Sequence, residues 1–446
     1  MGRTAPGRID VEPKGELFGH PKGLYVLFFA EMWERFSFYG IRAILVLYMV
    51  AAIADGGLGW TQKTSLLVLG LFQMGVYLMD VPGGLIADRW LGARKCVWFG
   101  CLLIMSGNFA LVLPGFAAFY AGLSLIVLGT GLLKPNISTM VARLYDDGDP
   151  RRESAFTIFY LGINVGSFFA GLVVGYLAIK FGWRTGFLAS GFGMLLGQGV
   201  YVWGRRYLKG ADSVPDRADG TCARVPLAPE DRRRIWVILY SFLTVLIFWA
   251  AYEQAGGLLN LYADRFTDRM LGSFEIPAPW FQSVNPLLII LLAPLAAAFW
   301  TYLGRRKRNP HEVVKMAVGT MILGLGYISM VAAVLQRDSS ANHLSSMVWL
   351  LLVNLTCTVG ELWLSPVALA FITRAAPKRM TSQMMGWYFA VTGVGGFLAS
   401  WLGSFAESWG EMRVFVVLTV VTALVGALQL LFAKRVIRLV ESEIAR

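Results

Sequence analysis

Glu31, Glu34, Arg35 and Arg42 stand inside an otherwise apolar run from Leu24 to Ile53. On insertion scales a charge at a bilayer centre costs about 2.5 to 3.5 kcal/mol, so four unpaired charges would cost on the order of 10 kcal/mol. They must face protein, water or each other. At about 100° per residue, Glu31, Glu34, Arg35, Phe38, Tyr39 and Arg42 share one stripe about 140° wide, which gives the helix a charged face and a lipid face. Glu31 and Arg35 are spaced for an i,i+4 ion pair, which accounts for two charges; a polar pathway through a helical bundle accounts for all four. Glu253 is a carboxylate desolvated within a span, with a proton occupancy that depends on whether a cation such as Arg42 engages it. That is the chemistry of proton coupling. Glu31 and Glu34, with Arg35 and Lys134, form a second candidate relay, the alternative being a clamp between helices.

Positioning these groups takes a membrane. The 446-residue chain is 56% hydrophobic with a mean hydropathy of +0.59, far more apolar than a soluble globular protein. Windows of about 20 apolar residues predict twelve spans, near 23–53, 65–87, 96–113, 116–141, 155–179, 185–204, 235–262, 280–303, 313–335, 345–373, 380–404 and 412–433. The organisation expected is a tail at 1–22, a six-helix bundle at 23–204, a linker loop at 205–234, a second bundle at 235–433 and a tail at 434–446.

The formal charge of +12 is a topology signal. Of 40 Lys and Arg residues, 30 fall on the side of the N-terminus, seven on the opposite side and three within spans. The positive-inside rule then makes both termini cytoplasmic, and no soluble domain remains to bind nucleic acid. The four cysteines, Cys96, Cys101, Cys222 and Cys357, lack CxxC spacing, so neither a disulfide framework nor a zinc site is expected. The first apolar segment carries charges and reads as a retained span. His20, His311 and His343 all lie outside mid-span positions and receive no proton role. A bacterial inner membrane is the expected location.

After the second span, Pro82-Gly83-Gly84 runs through Asp88 and Arg89 into Leu91-Gly92-Ala93-Arg94-Lys95, and 212 residues later Leu303-Gly304-Arg305-Arg306-Lys307 repeats the pattern, with Pro294 echoing Pro82. A duplicated six-plus-six transporter shows this; two basic loops converging under the positive-inside rule are the alternative. Asp88 has no counterpart, since Trp300 stands at its offset. It is placed to cap or pair at the next helix's start.

The first loop resembles the signature loop of the major facilitator superfamily, which makes Asp88, Arg89 and Arg94 candidates for a gating loop. Gly129-Thr130-Gly131-Leu132-Leu133-Lys134-Pro135-Asn136, Phe159-Tyr160-Leu161-Gly162-Ile163-Asn164, and the opening Glu31-Met32-Trp33-Glu34-Arg35-Phe36 resemble signatures of the proton-dependent oligopeptide transporter family. Further matches are Phe248-Trp249 with Glu253-Gln254, Asn285-Pro286, and Glu361 with Ser365-Pro366, so the resemblance runs from about residue 20 to 433. It implies an all-α membrane protein of twelve helices in two six-helix halves, working as a proton-coupled symporter of di- and tripeptides. Protons are the coupling ion, no other cofactor is implied, and a monomer in the lipid bilayer is expected. Many bacterial members carry two additional helices at the linker; this sequence shows none.

A peptide is a zwitterion, so its cavity needs opposed charges. The first half supplies Arg42 and Lys134, the second Glu253 and Glu361. By resemblance Arg42 and Lys134 face the substrate carboxylate, Glu361 the amine, and Asn164 and Asn285 the peptide backbone. Arg42 can grip a carboxylate through two parallel hydrogen bonds and is the orienting partner. Tyr39, Tyr77 and Ser365 fit a polar, permissive wall. For the asparagines and tyrosines, helix packing is the alternative role. Phe38 stands where many members have a second tyrosine, and Tyr388 where tryptophan is usual. Asp80 is unexpected, either pairing with a basic loop or joining the proton path. Pro135, Pro286, Pro294 and Pro366 are placed to bend helices.

Three other function classes compete with this reading. A same-fold carrier of nitrate or another small anion would need the cations more than Glu361, and a transport-deficient receptor would keep only the fold. A membrane enzyme is disfavoured, since the spans hold no HExxH, no GxSxG and no mid-span His pair.

Overall fold

Backbone in lipid must satisfy its own hydrogen bonds, which helices do within one segment. The computed structural model describes residues 15–146, 148–208, 211, 229–377 and 380–444, and it is almost entirely helical. In chain order the helices are α1 Lys22–Val50, α2 Gln62–Ile86, α3 Ala93–Ala110, α4 Phe116–Arg143, α5 Arg151–Phe181, α6 Trp183–Gly204, α7 Pro229–Tyr252, α8 Leu258–Phe266, α9 Val284–Arg305, α10 Glu312–Ser339, α11 Val348–Ala375, α12 Thr381–Ser404, α13 Ala406–Trp409 and α14 Glu411–Ile444. Nine helical segments among the described residues are long and apolar enough to cross a membrane. α1, α3 and α6 fall outside that set. Every 18-residue stretch of α1 holds at least three ionisable residues; Arg94 and Lys95 dilute α3, and Arg184 with several glycines dilutes α6.

Ends and bends have local causes. Thr61 caps α2, its hydroxyl accepting from the Thr64 amide at 3.2 Å. Gly182, at φ +93°, takes the left-handed conformation that turns α5 directly into α6. Gly83 and Gly131 let α2 and α4 touch backbone to backbone, because a Cβ on either would collide with main-chain atoms of the other helix.

Three regions show detail beyond the expected spans and tails. The span expected at 235–262 lies within one apolar helical segment, Asp231–Phe266, that carries an internal break: α7 stops at Tyr252, a single tight turn covers Glu253–Gly256, and α8 restarts at Leu258. The glycine pair Gly256-Gly257 lowers the cost of that break. The C-terminal tail expected from 434 continues α14 to Ile444. In the described part of the N-terminal tail, Glu16–Leu17 pairs with His20–Pro21. It is clasped to the α4–α5 connection by Arg151 to Glu16 at 2.9 Å and by His20 Nδ1 to the Tyr145 hydroxyl at 2.8 Å. Hydrogen bonds from Arg151 hold the Asp149 carboxyl below the usual carboxylate range. Cys222 and the loop 212–228, where the absence of extra helices was expected, lie outside the described residues, as do residues 1–14.

Within α1–α6 the main packing joins α3 to α4 and α1 to α5 and α6; within α7–α14 it joins α10 to α11 and α14, and α7 to α12. Between the two groups α2 packs on α12 and α5 on α9. Polar contacts close the group interface at the end where α1 finishes and α2 begins. Asn260 donates to the Ala43 carbonyl at 2.8 Å, Arg265 to Gln62 Oε1 at 2.9 Å, Ser283 to the Phe168 carbonyl at 2.7 Å, and the Lys63 amide to Glu407 at 3.0 Å.

Candidate functional site

A polar cavity lies between the two groups of helices. α1 contributes Tyr39 and Arg42, α5 contributes Tyr160, Asn164 and Ser167, and α7 contributes Tyr252. Gln282, Asn285 and Pro286 enter around the start of α9, and Asn354, Cys357 and Glu361 project from α11.

Its positive pole is Arg42. Arg42 meets Glu253 at 2.7 Å, with side chains 8% and 5% exposed. Glu253 reaches it because the break after Tyr252 turns the carboxylate out of the helix line, and a Cβ on Gly256 would run into the guanidinium. The contact lies off hydrogen-bond geometry, so Arg42 Nε and one terminal nitrogen, both buried, have unspent donors. A guanidinium in that state can take a second carboxylate through paired hydrogen bonds. Gln73 on α2 donates to the same Glu253 oxygen at 3.1 Å, and Arg42 lies 5.7 Å from the Tyr39 ring centroid.

The negative pole is Glu361. The Tyr252 hydroxyl donates to its Oε2 at 2.7 Å, and Asn285 Nδ2 donates to the same oxygen at 3.1 Å and to Thr358 at 2.9 Å. Glu361 forms no ion pair among the described residues, so an arriving ammonium would find an uncompensated carboxylate. Asn164 spends its Nδ2 on the Tyr160 carbonyl one turn back, at 3.0 Å.

Other expected site residues lie elsewhere. Lys134 does not line the cavity; Asp80 takes its ammonium at 3.2 Å, and the Tyr77 ring lies beneath it at 4.1 Å. Asp80 therefore pairs with α4 and not with the basic loop, while Lys134 keeps its electrostatic link to Glu31 and Glu34. Those two carboxylates share Arg35, with Glu31 at 3.0 Å and Glu34 in closer contact. Ser365 is half-buried and does not line the cavity. Phe38 stacks on Phe72 at 6.1 Å and lies 5.5 Å from the Arg35 guanidinium, away from the cavity wall. Its missing hydroxyl therefore does not alter the lining.

Asp88 and Arg89 sit exposed on a single π-helical turn, Ala87–Leu91, and Arg94 is half-buried at the start of α3, its carbonyl accepting from Tyr201 at 2.9 Å. Asp88 does not cap α3, whose N-terminus has no side-chain cap. Sequence reasoning missed Gln73, Tyr160, Tyr252 and Gln282. The one available signal was position: Tyr160 lies one turn before Asn164, and Tyr252 directly precedes Glu253.

A helical membrane protein with opposed charges facing one internal cavity is built as a carrier of small polar solutes. The model of the POT family (PTR2) matches residues 94–228 and 220–413, and the chain belongs to that family. It is 37% identical to a peptide transporter of Yersinia enterocolitica over 88% of this chain and 89% of that one. It is 31% identical to a di-/tripeptide transporter of Lactococcus lactis subsp. cremoris, over 95% and 97%. Among solved structures, a peptide transporter of the family in complex with alafosfalin superposes with a TM-score of 0.90 at 35% identity, covering 96% of this chain and 97% of that one.

Proposed function

We propose that the protein is a proton-coupled symporter that imports di- and tripeptides by alternating access between two six-helix halves, α1–α6 and α7–α14. The observation that carries this reading is the cavity with Arg42 at one pole and Glu361 at the other, which matches a zwitterion with carboxylate and ammonium ends. Arg42 takes the carboxylate and Glu361 the amine, while Asn164 and Asn285 face the backbone between them. When the substrate carboxylate competes for Arg42, Glu253 loses its counter-ion and takes a proton, so that substrate and proton move together. Relatives that transport peptides support the substrate class.

The mirrored packing of α2 on α12 and α5 on α9 supports two rocking halves spanning the bilayer twelve times, and the basic-residue asymmetry supports cytoplasmic termini in a bacterial inner membrane. Glu361 speaks against the anion-carrier reading, because a cavity for nitrate would not keep a carboxylate without a cationic partner. The test is uptake of labelled dialanine into proteoliposomes with excess nitrate as competitor. Dialanine uptake insensitive to nitrate is expected; nitrate uptake without dialanine uptake would overturn the assignment.

A further inference from the structure

Five ionisable groups meet away from the peptide cavity, near the end of α2 opposite the closed interface: Glu31, Glu34 and Arg35 on α1, Asp80 on α2 and Lys134 on α4. They sense one another's charge. Three acids face two bases, so the fully ionised cluster carries one uncompensated negative charge in a largely buried setting. A single bound proton relieves that cost.

Which acid takes it decides what the proton does. Glu31 and Glu34 both lie on Arg35, and protonating either leaves Lys134 where it is. Asp80 holds Lys134 through Oδ2 at 3.2 Å, while its Oδ1 is buried without a hydrogen-bond partner. Gly83 and Gly131, each three residues from one partner, press α2 against α4 and fix the spacing. Of the other elements on α2, α12 brings the Phe389 ring, 5.5 Å from the Lys134 ammonium, and its one titratable residue, Tyr388, is buried in the apolar core. On α2 itself Tyr77 lies under the ammonium, its ring centroid 4.1 Å away. Lys134 is 22% exposed and Asp80 9%, so water reaches the pair from the lysine side.

We propose that Asp80 is a second proton-accepting group that governs Lys134: ionised, it holds the ammonium; protonated, it releases the ammonium to the substrate carboxylate. The proton comes from water at Lys134, sits on Asp80 while the peptide is bound, and returns to water when the peptide leaves and the pair re-forms. Asp80 is thus a positioning residue acting through Lys134. This inference rests on the transporter reading above and adds one proton to the single proton assigned to Glu253.

The test is the pH dependence of dialanine binding to the purified full chain, wild type against Asp80→Asn and Asp80→Glu. Two linked protons give a limiting slope of log Kd against pH of about two; Asp80→Asn should lower it by about one, and Asp80→Glu should keep it. Proton uptake per dialanine, from calorimetry in buffers of different ionisation enthalpy, should fall from about two to about one in Asp80→Asn. If that variant does not fold, the wild-type proton count decides, one instead of two overturning the inference. An unchanged slope and proton count in a folded Asp80→Asn protein overturns it while leaving the transporter reading intact. A wild-type protein that binds no dialanine overturns both.

Discussion

Replacing Glu253 by Gln removes the negative charge from the pair that couples substrate to proton. Both side chains are buried, Arg42 at 8% and Glu253 at 5% exposure, and breaking a buried pair by removing one partner costs about 3–5 kcal/mol because the remaining charge is left uncompensated. Gln has nearly the same volume and can still meet Gln73, so the cost falls mainly on Arg42. A peptide carboxylate restores the missing partner. In the wild type at neutral pH that carboxylate must share Arg42 with Glu253; in the variant it need not. Recovering about 1.4 kcal/mol of the lost energy tightens dialanine binding about tenfold. Binding to purified wild type and Glu253→Gln, measured by thermophoresis at neutral pH, reads the affinity, and uptake into proteoliposomes reads the coupling. The variant should bind more tightly, exchange peptide for peptide, and fail to accumulate it against a gradient. Unchanged or weaker binding together with full uphill uptake would refute the reasoning.

Glu361→Gln should weaken dialanine binding by about tenfold to a hundredfold, since a hydrogen bond to a charged group contributes about 1.5–3 kcal/mol. Binding of N-acetyl-dialanine, which lacks the ammonium, should change far less, and competition between the two ligands reads the difference. Gly83→Val should push α2 away from the Gly131 carbonyl, costing about 1–3 kcal/mol of overpacking. A lower thermal unfolding temperature in detergent is expected, together with loss of the Asp80–Lys134 contact.

Charges in apolar segments announce themselves because each is costly enough to demand a partner, and this made Arg42, Glu253, Glu361 and Lys134 visible in the sequence. Helix positions were legible for the complementary reason, that lipid permits little except long apolar helices. Neutral polar residues carry no such signature: Gln73, Tyr252 and Gln282 look like packing residues until the fold turns them toward a carboxylate or the cavity. Asp80 was conspicuous as a charge, yet its partner was not, because the α2–α4 contact through Gly83 and Gly131 is a tertiary fact. The break after Tyr252 had a local signal in Gly256-Gly257, but an apolar run on both sides hid it. Phe38 looked like a change to the substrate site, and the structure turns it onto Phe72 and toward Arg35 instead.

The central claim is that a proton gradient drives peptide accumulation through this cavity. One proton carrying one charge gains about 2.3 kcal/mol per 100 mV, and a pH unit adds about 1.4 kcal/mol, together enough for accumulation of roughly several hundred-fold for a neutral zwitterion. The direct measurement is uptake of labelled dialanine into proteoliposomes holding the wild-type protein, under an inward proton gradient and an inside-negative potential, with and without a proton ionophore. The account predicts accumulation above the outside concentration that collapses when the ionophore is added. Uptake that only equilibrates, or accumulation that survives the ionophore, would contradict it.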